Sequence, residues 1–411
     1  MIGLVDCASF YCSCERAFRP DLQDVPIIVL SNNDHWIIAL NAEAKALGLK
    51  RGMRFKESRS CIDKNNVVFF SSNYTLYNDM SWRFIETLRE LSPVVEPYSI
   101  DEAFIDLSGM SNLSAYGEAI RETVKRYTRL PTAVGIAPTK ALAKAAQRLA
   151  KQRDGCLLLD SPERIARALE DTPVDDIWGI GRSFAEKLTA EGVRTAADFI
   201  KVPEWKVKKN LTSAGWVLQQ ELKGIPMAGL KEEPNPRKGI ISARQFGSPV
   251  KHLAVLQEAL SYYTELAVEK LRAQHCTASM VTVSLEAAGT AGRSSCEVQA
   301  TDYLPDLISA AKLLLKKIYS PEAEYWRTTV YLFGIEPVDG RQLKFFDETN
   351  VKTEYLKEKV DEINSRYGQH TVHPCASEFR NEWGMRRDYI SPNYTTSMRD
   401  FPAARVLNEV R

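Results

Sequence analysis

The stretch that most constrains this chain is Tyr98-Ser99-Ile100-Asp101-Glu102-Ala103-Phe104-Ile105-Asp106-Leu107-Ser108-Gly109. Two adjacent carboxylates stand between apolar runs rich in β-forming residues, with Pro97 before them and Gly109 at the end. Val94-Val95 and Phe104-Ile105 read as the two strands of a hairpin, which puts Asp101 and Glu102 at its turn. Carboxylates fixed side by side repel each other unless a cation sits between them, and a divalent metal is the simplest such cation. A metal held beside an open cleft is the usual basis of phosphoryl-transfer chemistry.

A third ligand is available far from the hairpin. Met1-Ile2-Gly3-Leu4-Val5 has the length of a buried strand and stops at Asp6. An acid at the end of such a strand can make a local turn hydrogen bond. Paired with Asp101 and Glu102, Asp6 is better read as part of a metal site.

With 411 residues the chain has room for roughly three domains of ordinary size. No apolar run approaches the ~18 residues of a membrane span, and the short N-terminal run leading into Asp6 does not read as a signal peptide. The eight cysteines form no Cys-x-x-Cys pair and the five histidines no His-Glu-x-x-His pattern. Reduced thiols and a cytoplasmic protein are expected. The net charge of +1 decides nothing about nucleic acid, but its distribution is uneven. Residues 178–209 carry seven basic and four acidic residues, and residues 231–251 carry five and two.

Up to about Asp160, short apolar strands alternate with helical segments, an α+β pattern with a mainly antiparallel sheet. Asn73–Leu91 reads as a long helix from the spacing of Tyr77, Met80, Phe84, Leu88 and Leu91. Residues 161–225 read as short helices and residues 226–240 as a linker. A further α/β block runs from about Ile240 to Gly334, with helices over Ala254–Arg272 and Leu304–Lys317. The remaining residues read as less regular.

Several motifs carry chemistry beyond the acids. Thr139 is a credible N-cap for the helix that begins at Lys140. On that helix Lys140, Lys144, Arg148 and Lys151 share one face and no acid interrupts them. A solvated stripe is one reading; a polyanion such as a triphosphate or a strand backbone is the favoured partner. Trp178-Gly179-Ile180-Gly181 before the helix Arg182–Glu191, followed by Gly192-Val193, has the helix–hairpin–helix form, which grips phosphate through backbone N–H groups without reading bases. Phe10-Tyr11 lies just past Asp6, either as core or as one wall of a sugar or base pocket. Gln342-Leu343-Lys344-Phe345-Phe346 offers two adjacent aromatics in a polar stretch, as a covered strand edge or as a peptide that docks into a partner.

Asp6 with Phe10-Tyr11, Ser99-Ile100-Asp101-Glu102-Ala103-Phe104, Gly135-Ile136-Ala137-Pro138-Thr139-Lys140 and Gly179-Ile180-Gly181 occur in an order that resembles the Y-family translesion DNA polymerases. The resemblance narrows to the UmuC type, the catalytic subunit of bacterial DNA polymerase V. It does so through Val29–Asp34, Asn41–Gly48, Phe70-Ser71-Ser72-Asn73-Tyr74 and the tail stretch Ser391-Pro392-Asn393-Tyr394-Thr395-Thr396.

This resemblance implies a multidomain right-hand polymerase. A ferredoxin-like palm would span residues 1–18 and 75–165, fingers 19–74, and a helix–hairpin–helix thumb 166–232. A linker at 233–240 would lead to an α/β little finger at 241–340, then to a clamp-binding peptide and tail at 341–411. Asp6, Asp101 and Glu102, with the Cys7 backbone carbonyl, would hold two Mg²⁺ ions for nucleotidyl transfer in the SOS response. Tyr11 matches the steric gate against a ribose 2′-hydroxyl, with Phe10 beside it. Lys45 and Lys151 match triphosphate-binding positions, although many family members have Arg at the first, and Lys cannot make its bidentate fork. Ile38 and Ala39 match the roof over the templating base; Gly179, Gly181 and Lys187 would grip the DNA backbone. Gln342, Leu343, Phe345 and Phe346 resemble a sliding-clamp peptide. Beyond DNA and deoxynucleotide, the implied partners are that clamp, a cleaved UmuD-type dimer and a RecA-type filament, with no membrane. A non-catalytic DNA-binding paralogue is the main alternative, and the presence of all three acids argues against it. A nucleotidyl cyclase on a palm-like fold would need neither the thumb motif nor the clamp peptide.

Overall fold

In the computed structural model the first apolar run forms strand β1 (Ile2–Cys7), buried from Gly3 onward, as befits the middle of a sheet. The model describes residues 1–231, 237–338, 351–368, 370–375 and 383–401. After β1 come α1 (Phe10–Phe18), β2 (Ile27–Leu30), β3 (Ile37–Leu40), α2 (Ala42–Ala46), α3 (Phe55–Lys64) and β4 (Val68–Ser71). Then follow α4 (Tyr74–Arg89), β5 (Val95–Pro97), β6 (Glu102–Asp106), α5 (Leu113–Thr128), β7 (Thr132–Ala137), α6 (Lys140–Ala150) and β8 (Cys156–Leu158). Five strands make one sheet in the order β5-β6-β1-β7-β8, antiparallel except between β7 and β8. A second sheet has the order β3-β2-β4.

Helix α6 lies close against the five-stranded sheet, and Gly135 on β7 is the reason. A Cβ there would stand 2.1 Å from the Gln147 nitrogen and 2.3 Å from the Ala143 carbonyl oxygen. Only glycine lets helix backbone meet strand backbone at that distance. Thr139 caps the helix: its hydroxyl accepts from Leu142 N–H at 3.3 Å and donates to the Glu221 carbonyl at 2.8 Å.

The next segment comprises α7 (Pro162–Glu170), α8 (Arg182–Ala190), α9 (Ala196–Phe199) and α10 (Glu204–Leu222). It is made of short helices, as expected, and α10 itself is two helical stretches broken at Thr212, whose φ of +63° is not helical. Gly179 and Gly192 take φ of +89° and +86° on either side of α8, a left-handed turn geometry that suits glycine.

Two compact units emerge: Met1–Pro234 with Asp388–Arg411, and Asn235–Arg387. The second contains β9 (Gly239–Val250), α11 (Leu253–Arg272), β10 (Cys276–Ala287), β11 (Thr290–Thr301), α12 (Leu304–Ile318) and β12 (Tyr325–Pro337). Its strands pair antiparallel in the order β11-β10-β12-β9. After β12 the chain is more regular than expected, since α13 (Val351–Tyr367), still within the second unit, is a 17-residue helix. Hydrophobic periodicity does not announce α13: among its described side chains the buried one is Lys357, paired with Asp302 at 2.6 Å, while Tyr355 and Leu356 are exposed. From Asp388 onward the chain belongs to the first unit. All eight cysteines are free. Among the described residues no helix is long and apolar enough to cross a membrane.

Candidate active site

The register of β1 against β6 sets Asp6 directly opposite Glu102. Opposed residues of an antiparallel pair share a face, so the two carboxylates lie together, and both are buried. The Asp101 carbonyl accepts from the Cys7 N–H at 2.8 Å, which ties the hairpin turn to the end of β1. Only Asp101 therefore lies in the turn. Glu102 is the first residue of β6, because pairing with Asp6 draws it into the ladder.

Countercharge comes from α6. The Lys144 ammonium meets Glu102 Oε2, and Lys151 Nζ lies 2.7 Å from Asp6 Oδ1. Lys140, itself buried, stands 2.6 Å from Glu96, and Arg148 pairs with Asp176. The stripe is thus ion-paired along its length, and it runs from buried Lys140 to exposed Lys151. Each member meets an acid from a distant part of the sequence.

Asp6 Oδ1 is buried and ion-paired to Lys151. Burial lifts the Asp6 carboxyl to about 6; Lys151 opposes the rise, while Asp101 and Glu102 add to it. The Ser99 hydroxyl donates to Asp101. Three carboxylates against two ammonium groups leave negative charge over. That excess and the all-oxygen donor set fit a hard divalent cation. Among the described residues, the group whose potential ligand atoms all lie within 4.8 Å of one another is a different one, Glu265, Glu269 and His370 in the second unit. There a contact of 3.2 Å between His370 Nδ1 and Glu265 Oε1 accounts for the gathering.

The aromatic pair divides its duties. Phe10 fills the core, whereas Tyr11 is half-buried and stacks on Tyr77 with centroids 4.5 Å apart and an interplanar angle of 16°. Tyr74 meets Tyr11 edge-on at 6.1 Å. Burial pushes the Tyr11 hydroxyl pKa up, against a pull from Arg51. Lys45 is exposed near the end of α2, and Ile38 and Ala39 are half-buried on the edge strand β3. The Cys7 thiol is buried, which pushes its pKa well up. Gly181 caps α8 at its N-terminus, and Lys187 lies over the Phe184 ring at 5.5 Å. Trp178 Nε1 donates to the Tyr98 hydroxyl at 2.9 Å, joining the acid-bearing hairpin to the turn before α8. Gln342, Leu343, Phe345 and Phe346 lie outside the described residues.

Sequence reasoning did not single out the Lys144 contact with Glu102, Arg51, or the pair Glu15 and Tyr77. A signal existed for Glu15, which follows Tyr11 by four positions and so shares its helix face.

Comparison with known proteins gives this geometry a family. The model of the impB/mucB/samB family matches residues 5–148, its C-terminal domain matches 237–345, and its helix–hairpin–helix motif matches 162–193. The protein UmuC of Salmonella typhimurium is 37% identical over 417 residues, covering 97% of this chain and 99% of that protein. The chain belongs to the impB/mucB/samB family. It is a UmuC-type Y-family enzyme, a DNA-directed translesion DNA polymerase. Protein ImpB of Salmonella typhimurium is likewise 37% identical, over 99% of this chain and all of that one. DNA polymerase IV of Pelotomaculum thermopropionicum is 28% identical over 90% of this chain and 94% of its own. Among solved structures, a Y-family DNA polymerase chimera of Dbh and Dpo4 superposes with a TM-score of 0.68 at 19% identity, over 82% of this chain and the whole of that one. An insertion ternary complex of Dbh DNA polymerase gives 0.58 at 19% identity, with the same coverage of both chains. These two likenesses concern the fold, the α+β right-hand polymerase architecture. Residues 354–404 of this UmuC-type chain match a domain of unknown function.

Proposed function

We propose that this polymerase adds deoxynucleotides to a primer 3′-hydroxyl opposite damaged template by two-metal phosphoryl transfer, as part of the SOS response. The observation that carries the reading is the in-register pairing of Asp6 with Glu102, with Asp101 tied to the same strand end and lysines drawn onto the acids. Asp6, Asp101, Glu102 and the Cys7 carbonyl would hold the Mg²⁺ ions. Bound there, the ions supply activation of the 3′-hydroxyl and stabilisation of the pyrophosphate leaving group.

The chain's own residues orient and select. Lys151, at the end of α6, and Lys45 receive the triphosphate. The Tyr11 ring, backed by Tyr77, closes the space a 2′-hydroxyl would need, with Phe10 supporting it from the core. Ile38 and Ala39 cover the templating base. Gly179, Gly181 and Lys187 at the start of α8 hold the duplex backbone through a helix N-terminus and one cation. In domain terms we assign the palm to residues 1–18 and 75–165, the fingers to 19–74, the thumb to 166–232 and the little finger to 241–340. We assign Gln342–Phe346 to a sliding clamp, and a UmuD-type dimer and RecA-type filament as further partners.

Primer extension across an abasic site, with Mg²⁺ and the clamp, tests the reading. Asp101→Asn is expected to abolish extension; extension at the wild-type rate would overturn the mechanism. Tyr11→Ala is expected to raise ribonucleotide incorporation, and unchanged sugar selection would refute the gate.

A further inference from the structure

Two sequence stretches that resemble the UmuC type, Phe70–Tyr74 and Ser391–Thr396, have no part in the chemistry described above. They meet in the first unit. The Ser71 N–H donates to the Tyr389 carbonyl at 3.0 Å, and the Tyr389 N–H returns to Ser71 Oγ at 2.9 Å. Ile390 bridges in parallel to Ser71 at the end of β4. The Asn73 side-chain amide donates to the Ser391 carbonyl at 3.0 Å and to its hydroxyl at 3.1 Å. Asn73 Oδ1 also accepts from Leu76 N–H as the N-cap of α4. Tyr394 stacks on Phe18 at the end of α1, with centroids 4.9 Å apart. The tail is therefore stitched to β4, α4 and α1 together.

The stitching reaches the sugar-selecting ring. Ser391 Oγ, accepting from Asn73, donates its proton to Glu15 Oε1 at 3.0 Å. The Tyr77 hydroxyl donates to the same oxygen at 2.6 Å. Glu15 is fully buried, and Tyr77, also fully buried, is the ring on which Tyr11 stacks. An anchored hydroxyl fixes a ring against sliding in its plane, and a ring stacked on it inherits the constraint.

We propose that residues 388–401 are a latch that positions the sugar gate. Ser391 holds Glu15, Glu15 holds the Tyr77 hydroxyl, and Tyr77 holds the ring of Tyr11. This gives the tail, which matches a domain of unknown function, a task in the polymerase's own selectivity. It rests on the reading of Tyr11 as the gate. Ser391 and Tyr77 are positioning residues and touch no reacting atom.

The test compares kcat/KM for a deoxynucleoside and a ribonucleoside triphosphate on one primer–template, using the full chain. In Ser391→Ala, deoxynucleotide use is expected to stay within about twofold, while ribonucleotide use rises roughly five- to tenfold as the ring loses its fixed position. Ser391→Thr, which keeps the hydroxyl, should restore discrimination. Tyr77→Phe keeps the ring, loses the anchor, and should relax sugar choice by a second route that does not depend on how Ser391→Ala folds. In a Tyr11→Ala background, Ser391→Ala should add nothing, because the two act on one element. If Tyr11→Ala relaxes sugar choice while Ser391→Ala and Tyr77→Phe both keep the wild-type ratio, the latch is overturned and the gate stands. If Tyr11→Ala itself leaves the ratio unchanged, the gate reading fails and the latch falls with it.

Discussion

Glu15 titrates in a way that can be measured apart from catalysis. Its Oε1 takes hydrogen bonds from Tyr77 and Ser391, and its buried Oε2 takes none. Burial lifts the carboxyl from its ordinary 4.5 to about 7, with the two hydroxyls pulling it back only in part. A carboxyl whose pKa is higher in the folded than in the unfolded chain contributes most below the unfolded value. Its contribution is lost as pH rises through the folded one. For Glu15 that window runs from 4.5 to about 7. Each pH unit inside it costs about 1.4 kcal/mol, or roughly 3 kcal/mol in all. Glu15→Gln removes the titration and keeps the shape. Between about pH 5 and pH 8 its stability relative to wild type should therefore improve by about 2–3 kcal/mol. In a unit of this size that is roughly 5–10 °C of melting temperature. Thermal melts of both proteins across the range read the difference directly. Melting temperatures that run parallel, or a variant that gains at acid pH instead, would show that Glu15 is not desolvated in the fold.

Three further outcomes follow from the site. Gly135→Ala should cost about 3 kcal/mol or more, because the clash is with helix backbone that cannot step aside, and melting temperature and primer extension should fall together; an unchanged melting point refutes the close approach of α6. Lys144→Met leaves Glu102 without its ammonium, so the melting point should drop without metal and rise more on adding Mg²⁺ than it does in wild type; equal Mg²⁺ shifts in both proteins count against metal and lysine sharing one carboxylate. With the Asp6 carboxyl lifted to about 6, divalent-cation binding near that pH should release protons, seen in calorimetry as heats that differ between buffers of different ionisation enthalpy; buffer-independent heats contradict the burial of Asp6.

The elements that decide the site were legible where their signal is local. The apolar run before Asp6, the strands flanking the acid pair and the Thr139 cap are set by neighbours in sequence, and the structure has them close to where the periodicity puts them. Glu102 was misread as a turn residue because its pairing with Asp6 is a long-range fact. The ion pairs of the α6 stripe are long-range facts of the same kind. Glu96, Glu102, Asp176 and Asp6 come from four separate elements, and no helical spacing reveals them. The tail was the least legible part. Residues more than 300 positions apart meet through Asn73 and Ser391, and the signal for that contact is two unremarkable polar side chains.

The acids and the proposed gate are held by different physics, and on that proposal chemistry is separated from selection. Asp6 and Glu102 sit on a strand ladder whose register cannot slip by one residue without turning the carboxylates to the other face. Gly135 holds α6, and with it Lys144 and Lys151, against the same sheet. Neither support involves the tail. Tyr11 instead depends on a stacked ring whose hydroxyl is fixed through a buried carboxylate to Ser391. A perturbation of the tail should therefore change which sugar is accepted while leaving bond formation intact. A perturbation of the ladder should stop bond formation whatever the sugar. A partner that bound the tail and drew Ser391 away would act on the first of these alone.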